Sequence, residues 1–232
     1  MQTDTLPDQA NALPLARRLN AQANPALLSL PPTVYQQETR YRLVAPIRAG
    51  VTLFSPDQPA LYSMSNEITG SALLIVWHSR TGAAEAAARQ AYDAAQAIRR
   101  ELGESHNVYL KRACDVTPED MLEASAYLFC APENLASLSG QMKECLDRLY
   151  YPVLHRIEGR IFSVIITAGS DGEGALRQLR RICSGWRLNE RVPGIILNMR
   201  SDTEAAILAP KTLSETQRQQ AGEIGATLFA LL

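Results

Sequence analysis

The sequence lacks the charge excess, the long apolar runs and the cysteine patterns that mark several classes of protein. Its formal net charge of -1 argues against a nucleic-acid-binding surface, which normally carries a basic excess. No apolar run approaches the roughly 18 residues of a membrane span, and no basic start precedes an apolar segment. We therefore expect neither a membrane helix nor a signal peptide. The four cysteines are widely spaced and match no zinc pattern, which favours reduced thiols in a cytoplasmic protein.

The first seventy residues differ in composition from the rest of the 232-residue chain. They hold eight of the 13 prolines but only two of the 13 glycines. Proline interrupts helices, and the β-favouring stretch 39–54 is broken by Pro46 and Gly50. We expect residues 1–70 to be an irregular extension with a short hairpin. A loosely packed extension is favoured over a dimerisation arm or a flap over a ligand site.

After Gly70 the pattern changes to alternating strands and helices, and residues 71–232 are predicted to form one α/β domain. The predicted strands are Ala72–Trp77, 107–113, 126–131, Ile161–Ala168 and 193–199. The predicted helices are 84–102, one beginning after Thr117, one capped by Ser139 and running to about Tyr151, 175–186, and one from Ser214 to the last residue. Apolar strands that alternate with helices predict a parallel sheet with helices on both faces.

The stretch His78-Ser79-Arg80-Thr81-Gly82-Ala83-Ala84-Glu85 lies between the first strand and the first helix. The first N–H groups of a helix have no partner inside it and carry partial positive charge. Ser79 and Thr81 add hydroxyl groups, Arg80 adds a full charge, and Gly82 permits close approach of a ligand. The stretch is a candidate phosphate cradle. An ordinary strand-to-helix turn explains the same residue types and remains open.

Three loops follow the carboxyl ends of predicted strands, and ligands of open α/β sheets bind at that edge. The loops are 79–84, 132–139 and 169–174. We expect them to lie together and to form a binding site.

The segments HSRTGAAE (78–85), APENLASLSGQMKECLDRLYYP (131–152) and ITAGSDGEGALRQL (166–179) follow one another in the order seen in a known group of proteins. Through them the chain resembles the flavodoxin-like superfamily, in particular its NAD(P)H-dependent oxidoreductases and its quinone or FMN reductases. The resemblance covers roughly residues 71–232. It implies a five-stranded parallel sheet of order 2-1-3-4-5 with helices on both faces.

The resemblance also implies that the protein binds FMN. The phosphate loop of the family corresponds to Ser79, Arg80, Thr81, Gly82, Ala83 and Ala84. The loop along the flavin ring corresponds to Pro132, Glu133, Asn134, Leu135 and Ala136, and the loop on the other side of the ring to Ala168, Gly169, Ser170, Asp171 and Gly172. No catalytic side chain and no metal ligand is implied, because the cofactor carries the chemistry.

Two residues depart from the family pattern. Ala84 stands where the family usually has threonine, which removes one hydroxyl donor to the phosphate. A hydrogen bond to a charged group is worth about 1.5–3 kcal/mol, so FMN affinity is expected to fall about tenfold to a hundredfold. Ala131 stands where threonine often precedes the proline, and we expect a looser turn before Asn134.

Several polar residues have both a structural and a functional interpretation. A packing or hydrogen-bonding role is favoured for His78 over catalysis. Asp171 is equally compatible with capping the next helix and with contacting a flavin. Lys143, Asp147 and Arg148 are interpreted as a surface ion pair on a solvated helix face.

The function implied by the resemblance is that of an NAD(P)H-dependent oxidoreductase. Its partners would be NADH or NADPH and a small electron acceptor such as a quinone or a free flavin. The sequence is also compatible with a homodimer. An electron carrier of the flavodoxin kind is less favoured, because residues 132–139 contain no aromatic side chain and the net charge is near zero. A third hypothesis is a flavin-free relative that binds other proteins. The missing hydroxyl at Ala84 and the unexplained segment 1–70 support this hypothesis.

Overall fold

A computed structural model describes residues 72–232 of the chain. The arm and hairpin expected within residues 1–70 lie outside the described residues. The strands are β1 (Ala72–Trp77), β2 (Asn107–Arg112), β3 (Ala126–Asn134), β4 (Ser137–Leu138), β5 (Ile161–Ala168), β6 (Asn189–Glu190) and β7 (Ile195–Asn198). The helices are α1 (Ala83–Leu102), α2 (Pro118–Glu123), α3 (Gly140–Val153), α4 (Glu173–Gly185), α5 (Glu204–Leu208) and α6 (Glu215–Ala230).

The main sheet is parallel and has β1 near its centre. Its order is β2-β1-β3-β5, and β5 continues to β6 with its first residues and to β7 with its last. The predicted order 2-1-3-4-5 is confirmed, with β6 and β7 sharing the fifth position. All six residues of β1 are buried, as an entirely apolar central strand requires.

Helices cover both faces of the sheet, as the alternation of elements predicts. Leu73 and Ile75 of β1 face the core beneath α1 and α6. Leu74 and Val76 face the opposite core, which is built with α2, α3 and α4. Since side chains alternate across a strand, one apolar run serves both cores.

Alanine and glycine let α1 and α6 pack closely. The buried face of α1 consists of alanines, and a Cβ added to Gly225 of α6 would overlap the Ala91 carbonyl. The small residues therefore fix how near the two helices approach. At its other end α1 stops at Gly103, whose φ of 67° is left-handed, as the sequence predicts.

The structure differs from the predicted elements at three places. β3 runs past Pro132 to Asn134, because Glu133 and Asn134 pair with the short antiparallel strand β4. The fifth strand is shorter than predicted and is preceded by the separate β6. The short helix α5 was not predicted. The first two differences depend on strand pairing that local residue patterns do not contain, whereas α5 has no buried residue and begins at the local cap Thr203.

Among the helices of residues 72–232, none combines the length and the apolar character that a membrane crossing requires.

Candidate functional site

The three predicted loops lie along one edge of the sheet. Trp77 at the end of β1 is in register with Cys130 of β3, and Pro132 of β3 is in register with Thr167 of β5. The chain segments that follow these strand ends therefore emerge side by side. The structure brings together the segments 79–84, 132–136 and 168–172, but Ala83 and Ala84 already belong to α1, 132–134 to β3 and Ala168 to β5.

The first loop folds around Gly82. The Gly82 N–H donates to the Ser79 hydroxyl at 3.0 Å, and Gly82 has a left-handed φ of 100°. The carbonyl of Thr81 accepts the Lys211 N–H at 2.7 Å. The loop is thus held from inside by Ser79 and from outside by the segment before α6. Arg80 is exposed on its surface.

Ala83 and Ala84 begin α1 with buried methyl groups, 3% and 0% exposed respectively. Ala84 supplies no hydroxyl to this loop. The donors that the loop offers to an anion are consequently the backbone N–H groups of the first helical turn, together with the hydroxyl groups of Ser79 and Thr81.

The second loop is the tight turn between β3 and β4. Leu135 and Ala136 both have left-handed backbone angles, with φ values of 52° and 59°. Two-residue hairpin turns of this kind strongly favour Asn-Gly, since non-glycine residues are strained there. The Leu135 side chain is fully exposed at the tip of the turn. The large apolar side chain of Leu135 is therefore exposed to solvent, next to the sheet edge where the three loops lie.

The third loop is joined to the second by Glu133. A carboxylate oxygen of Glu133 accepts the Gly172 N–H at 2.8 Å. Gly172 has a φ of 88°, and a Cβ on it would lie 2.6 Å from Cγ2 of Ile196. Glycine is therefore required at this position both by the backbone angle and by the space. The other carboxylate oxygen of Glu133 is buried without a hydrogen-bond partner among the described residues.

Two backbone carbonyls of the third loop are held by the last residue of β7 and by the segment after it. The Asn198 side chain donates to the Ser170 carbonyl, and the Ser201 N–H donates to the Gly169 carbonyl at 2.9 Å. Asp171 is exposed, and the N-cap of α4 is Gly172. Of the two interpretations of Asp171, helix capping is therefore not realised.

The helices that begin at these loops have no side-chain caps. Gly82, Ser139 and Gly172 are the N-caps of α1, α3 and α4, and none of them accepts a backbone N–H with its side chain. By contrast, α2, α5 and α6 each begin with a threonine or serine whose hydroxyl accepts such a bond. Three helix starts with uncapped N–H groups thus follow adjacent strand ends, and partial positive charge collects at that edge.

Ser139 is an N-cap, as predicted, but its hydroxyl is used elsewhere. It lies 2.8 Å from Nδ1 of His78, and Ser139 is completely buried. The hydrogen-bonding role favoured for His78 is confirmed by this contact. Partial burial, followed by the positive charges of Arg80 and Arg112, lowers the pKa of His78. The imidazole is consequently neutral at pH 7.

The predicted solvated face of α3 is present, and Arg148 makes further contacts there. Lys143 and Asp147 form the predicted surface ion pair, and the exposed Arg148 forms a second one with Glu144. Arg148 also donates to the Val116 carbonyl at 2.6 Å and to the Ala113 carbonyl at 2.9 Å. It therefore anchors the turn after β2 as well. A solvated arginine and one that binds distant carbonyls have the same helical spacing, so the sequence does not separate them.

Sequence reasoning also missed Lys211, Asn198 and Arg112, which lie at or beside the site. The Lys211 N–H donates to the Thr81 carbonyl, and the Asn198 side chain donates to the Ser170 carbonyl. Both contacts join residues that are distant in sequence. The Arg112 guanidinium lies over the Trp77 ring, 5.1 Å from its centroid. For Arg112 the sequence contained one signal of a place near the site, because this residue lies at the carboxyl end of a predicted strand.

Comparison with known proteins places this arrangement in a class. The chain is similar to a flavodoxin from the domain Archaea, with a TM-score of 0.53 and 15% identity over 68% of this chain and 96% of that one. It is similar to the flavodoxin of Streptococcus pneumonia TIGR4, with a TM-score of 0.53 and 18% identity over 69% of this chain and 99% of that one. It is also similar to a WrbA-like flavodoxin from Agrobacterium tumefaciens, with a TM-score of 0.50 and 16% identity over 70% of this chain and 97% of that one. The chain therefore has the flavodoxin-like fold.

A family model matches part of the sequence. Residues 102–198, less than half of the chain, match the family described as NADPH-dependent FMN reductase, which supports the predicted resemblance and an FMN-binding flavoprotein. The second and third loops lie inside the matched segment, and the first loop lies before it. No curated protein matches the chain.

Proposed function

We propose that this protein is an FMN-dependent oxidoreductase that uses NADH or NADPH to reduce a quinone, a free flavin or a similar small acceptor. The observation that carries the proposal is the group of three uncapped helix starts at one edge of the sheet. The match of residues 102–198 to NADPH-dependent FMN reductases supports the same conclusion.

The residues of the site fit FMN at its phosphate and at its ring. The phosphate suits loop 79–84, where backbone N–H groups, two hydroxyls and Arg80 surround the start of α1. The flavin ring would lie against loops 132–136 and 168–172. Glu133 ties these two loops together through the Gly172 N–H, so it fixes their relative position. Asn134 stands at the end of β3, where its amide can reach the polar edge of a ring.

When bound, FMN would supply hydride transfer between a reduced nicotinamide and the acceptor. The work of the protein is then to bind and orient. The backbone donors of the first loop hold the phosphate, and the hairpin carrying Leu135 covers one side of the ring site. The site as described needs no protein acid or base. The acceptor approaches from the solvent side, where Leu135 offers an apolar contact.

The compartment and the assembly are proposals as well. All four cysteines are free, which suits a reducing compartment such as the cytoplasm. A homodimer is part of the proposal, because the exposed Leu135 offers an apolar surface that a second copy could cover. The oligomeric state in solution, measured by light scattering with and without FMN, tests this part of the proposal.

The central experiment is a titration of the purified full-length protein with FMN and with riboflavin, followed by flavin fluorescence. We expect FMN to bind at least ten times tighter than riboflavin, because only FMN carries the phosphate. Arg80→Gln should weaken FMN binding and leave riboflavin binding unchanged. Arg100→Gln, which removes an exposed arginine at the far end of α1, is the matched control and should change neither.

No binding at high micromolar FMN would overturn the proposal and favour a flavin-free protein that binds other proteins. Bleaching of the bound flavin by NADPH or NADH under anaerobic conditions tests the reductase step. A protein that binds FMN, but whose bound FMN is reduced by neither nucleotide, would favour the electron carrier.

A further inference from the structure

Two of the four cysteines lie on elements that pack against each other. Cys114 belongs to the short turn Ala113–Asp115 that follows β2, and Cys145 belongs to α3. This turn packs against α3. Cys114 is exposed, whereas Cys145 is buried. One thiol that solvent reaches therefore lies on the turn that covers a second thiol.

The contacts of the turn place Cys114 next to Cys145 along α3. Cys114 and Gln141 line the same cleft at the carboxyl edge of the sheet. Arg148 donates to the backbone carbonyls on either side of Cys114, at 2.9 and 2.6 Å. Gln141, Cys145 and Arg148 are spaced i, i+4 and i+7, so they share one face of the helix. Cys145 consequently lies between the two points of α3 that adjoin the turn.

The electrostatics of Cys145 agree with this placement. Burial raises the pKa of Cys145 to about 12, and the positive charge of Arg148 opposes that rise. The charge of Cys114 raises the pKa of Cys145 by a smaller amount. Charges shift a pKa when they are near the titrating group, so the two sulfur atoms are neighbours.

The other two cysteines differ from this pair. Cys130 lies in β3 and Cys183 in α4, and both are completely buried. Burial raises the pKa of both thiols, and no other cysteine within residues 72–232 contributes to either rise. Cys114 and Cys145 are therefore the pair that the fold brings together.

We propose that Cys114 and Cys145 form a reversible disulfide when the protein meets a hydroperoxide. Cys114 reacts first, because it is exposed, and the Asp115 carboxylate that accepts its hydrogen bond at 3.4 Å is placed to take its proton. With hydrogen peroxide, the Cys114 sulfur forms an S–O bond as the O–O bond breaks, which gives a sulfenic acid and water. The sulfur loses two electrons and the peroxide gains them.

The second step uses Cys145 as the resolving thiol. Its sulfur attacks the Cys114 sulfur, so that the S–S bond forms, the S–O bond breaks, and the hydroxyl leaves as water with the proton of Cys145. The Arg148 guanidinium favours the thiolate of Cys145 during this attack. Burial keeps Cys145 from reagents in solvent, and its reaction partner is thus the neighbouring sulfur. A thiol reductant returns both residues to thiols by exchange.

The test treats the full-length protein with a small molar excess of hydrogen peroxide, alkylates the remaining thiols in denaturant, and digests with trypsin without reduction. Cys145 lies alone in the tryptic peptide 144–148, whereas Cys114 and Cys130 share the peptide 113–143. We expect these two peptides to be linked, with fragment ions that place the bond at Cys114. Two of the four thiols should be lost, and dithiothreitol should restore them.

Three variants separate the roles of the thiols. Cys114→Ser should abolish the linked peptide and leave the remaining thiols unoxidised. Cys145→Ala should stop the reaction at the sulfenic acid, which dimedone then traps on Cys114 more extensively than in the wild-type protein. Cys183→Ala removes a buried thiol of the same core and is the matched control, so it should retain the link. Peptide mapping of the wild-type protein decides the question even where a variant does not fold.

Three results would overturn the proposal. Oxidation of Cys114 to a sulfinic acid, with Cys145 still open to alkylation in denaturant, would show that the two thiols do not react with each other. A link between Cys114 residues of two copies, or between Cys114 and Cys130, would assign a different partner. The inference goes beyond the proposed reductase function, and none of these measurements uses FMN or a nucleotide, so the two proposals fail independently.

Discussion

His78 and Ser139 lie 61 residues apart in the chain and 2.8 Å apart between Nδ1 and Oγ. His78 follows β1, and Ser139 begins α3 after the β3–β4 hairpin. The contact joins the first loop of the candidate site to α3, the helix that follows the second loop. Because the Ser139 hydroxyl bonds to His78, it does not accept a backbone N–H of α3, and the N–H groups at the start of α3 stay uncapped.

We expect Ser139→Ala to lower the free energy of unfolding by about 0.5–1.5 kcal/mol, because the buried hydroxyl is removed and His78 loses its hydrogen-bond partner. A double-mutant cycle with His78→Gln should show a coupling energy between the two positions. Ser137→Ala is the matched control, since that hydroxyl makes only contacts of 3.4 and 3.5 Å. Urea unfolding of the four proteins of the cycle and of the control measures the effect, and additive changes in the cycle would contradict it.

The lowered pKa of His78 predicts how stability depends on pH. The unfolded chain binds a proton to histidine at a pKa of about 6.5, whereas the folded protein binds it only at lower pH. Between these two values the unfolded state holds more protons, so stability falls as the pH falls below about 6.5. The contribution is fully present above that pH. His78→Gln should flatten this part of the urea stability profile, and an unchanged slope would contradict the assignment.

The strained turn at Leu135 and Ala136 predicts a stabilising double substitution. Leu135→Asn with Ala136→Gly supplies the residues that a turn with two left-handed angles prefers, and we expect a gain of about 1–2 kcal/mol. Leu135→Val is the opposing control, because a β-branched residue is least tolerated at positive φ and should destabilise. Thermal unfolding distinguishes the two directions. A loss of stability in the double variant would mean that the turn is not strained.

Ala84 tests whether one hydroxyl is missing from the phosphate cradle. Ala84→Thr should tighten FMN binding about tenfold or more and leave riboflavin unaffected. The methyl group is fully buried, so larger side chains can also cost about 1–3 kcal/mol in stability through overpacking. Ala84→Val has the same shape without the hydroxyl and is the matched control. Equal FMN affinities of the threonine and valine variants would show that the hydroxyl does not reach the phosphate.

The four cysteines should differ sharply in reactivity. Burial raises the pKa of Cys145 to about 12 and also raises the pKa values of Cys130 and Cys183, while Cys114 is exposed. A thiol reagent at pH 8 should therefore modify one cysteine in the native protein and all four in denaturant. Cys114→Ser should abolish the native reaction. Rapid modification of more than one thiol would contradict the described core.

Much of the fold follows from short-range patterns that the sequence contains in full. An unbroken apolar run such as Ala72–Trp77 has to be a central buried strand, since both of its faces need cover. The capping boxes at Thr117 and Ser214 join residues three apart, so a linear pattern specifies them. Right-handed crossovers then restrict how such strands and helices can be arranged, and the order 2-1-3-4-5 was implied by the resemblance to the flavodoxin-like superfamily.

The tertiary structure decided what depends on partners distant in sequence. Whether β3 ended at Ala131 or ran on to Asn134 depended on pairing with β4, and the contact of Arg148 with the carbonyls after β2 depended on how α3 packs beside that turn. The cleft lined by Trp77, Arg112 and Gln141 likewise exists only where the ends of two strands and the start of a helix meet. Local propensity specifies an element from its own residues, but a contact needs two surfaces whose approach is set by the packing of the whole sheet.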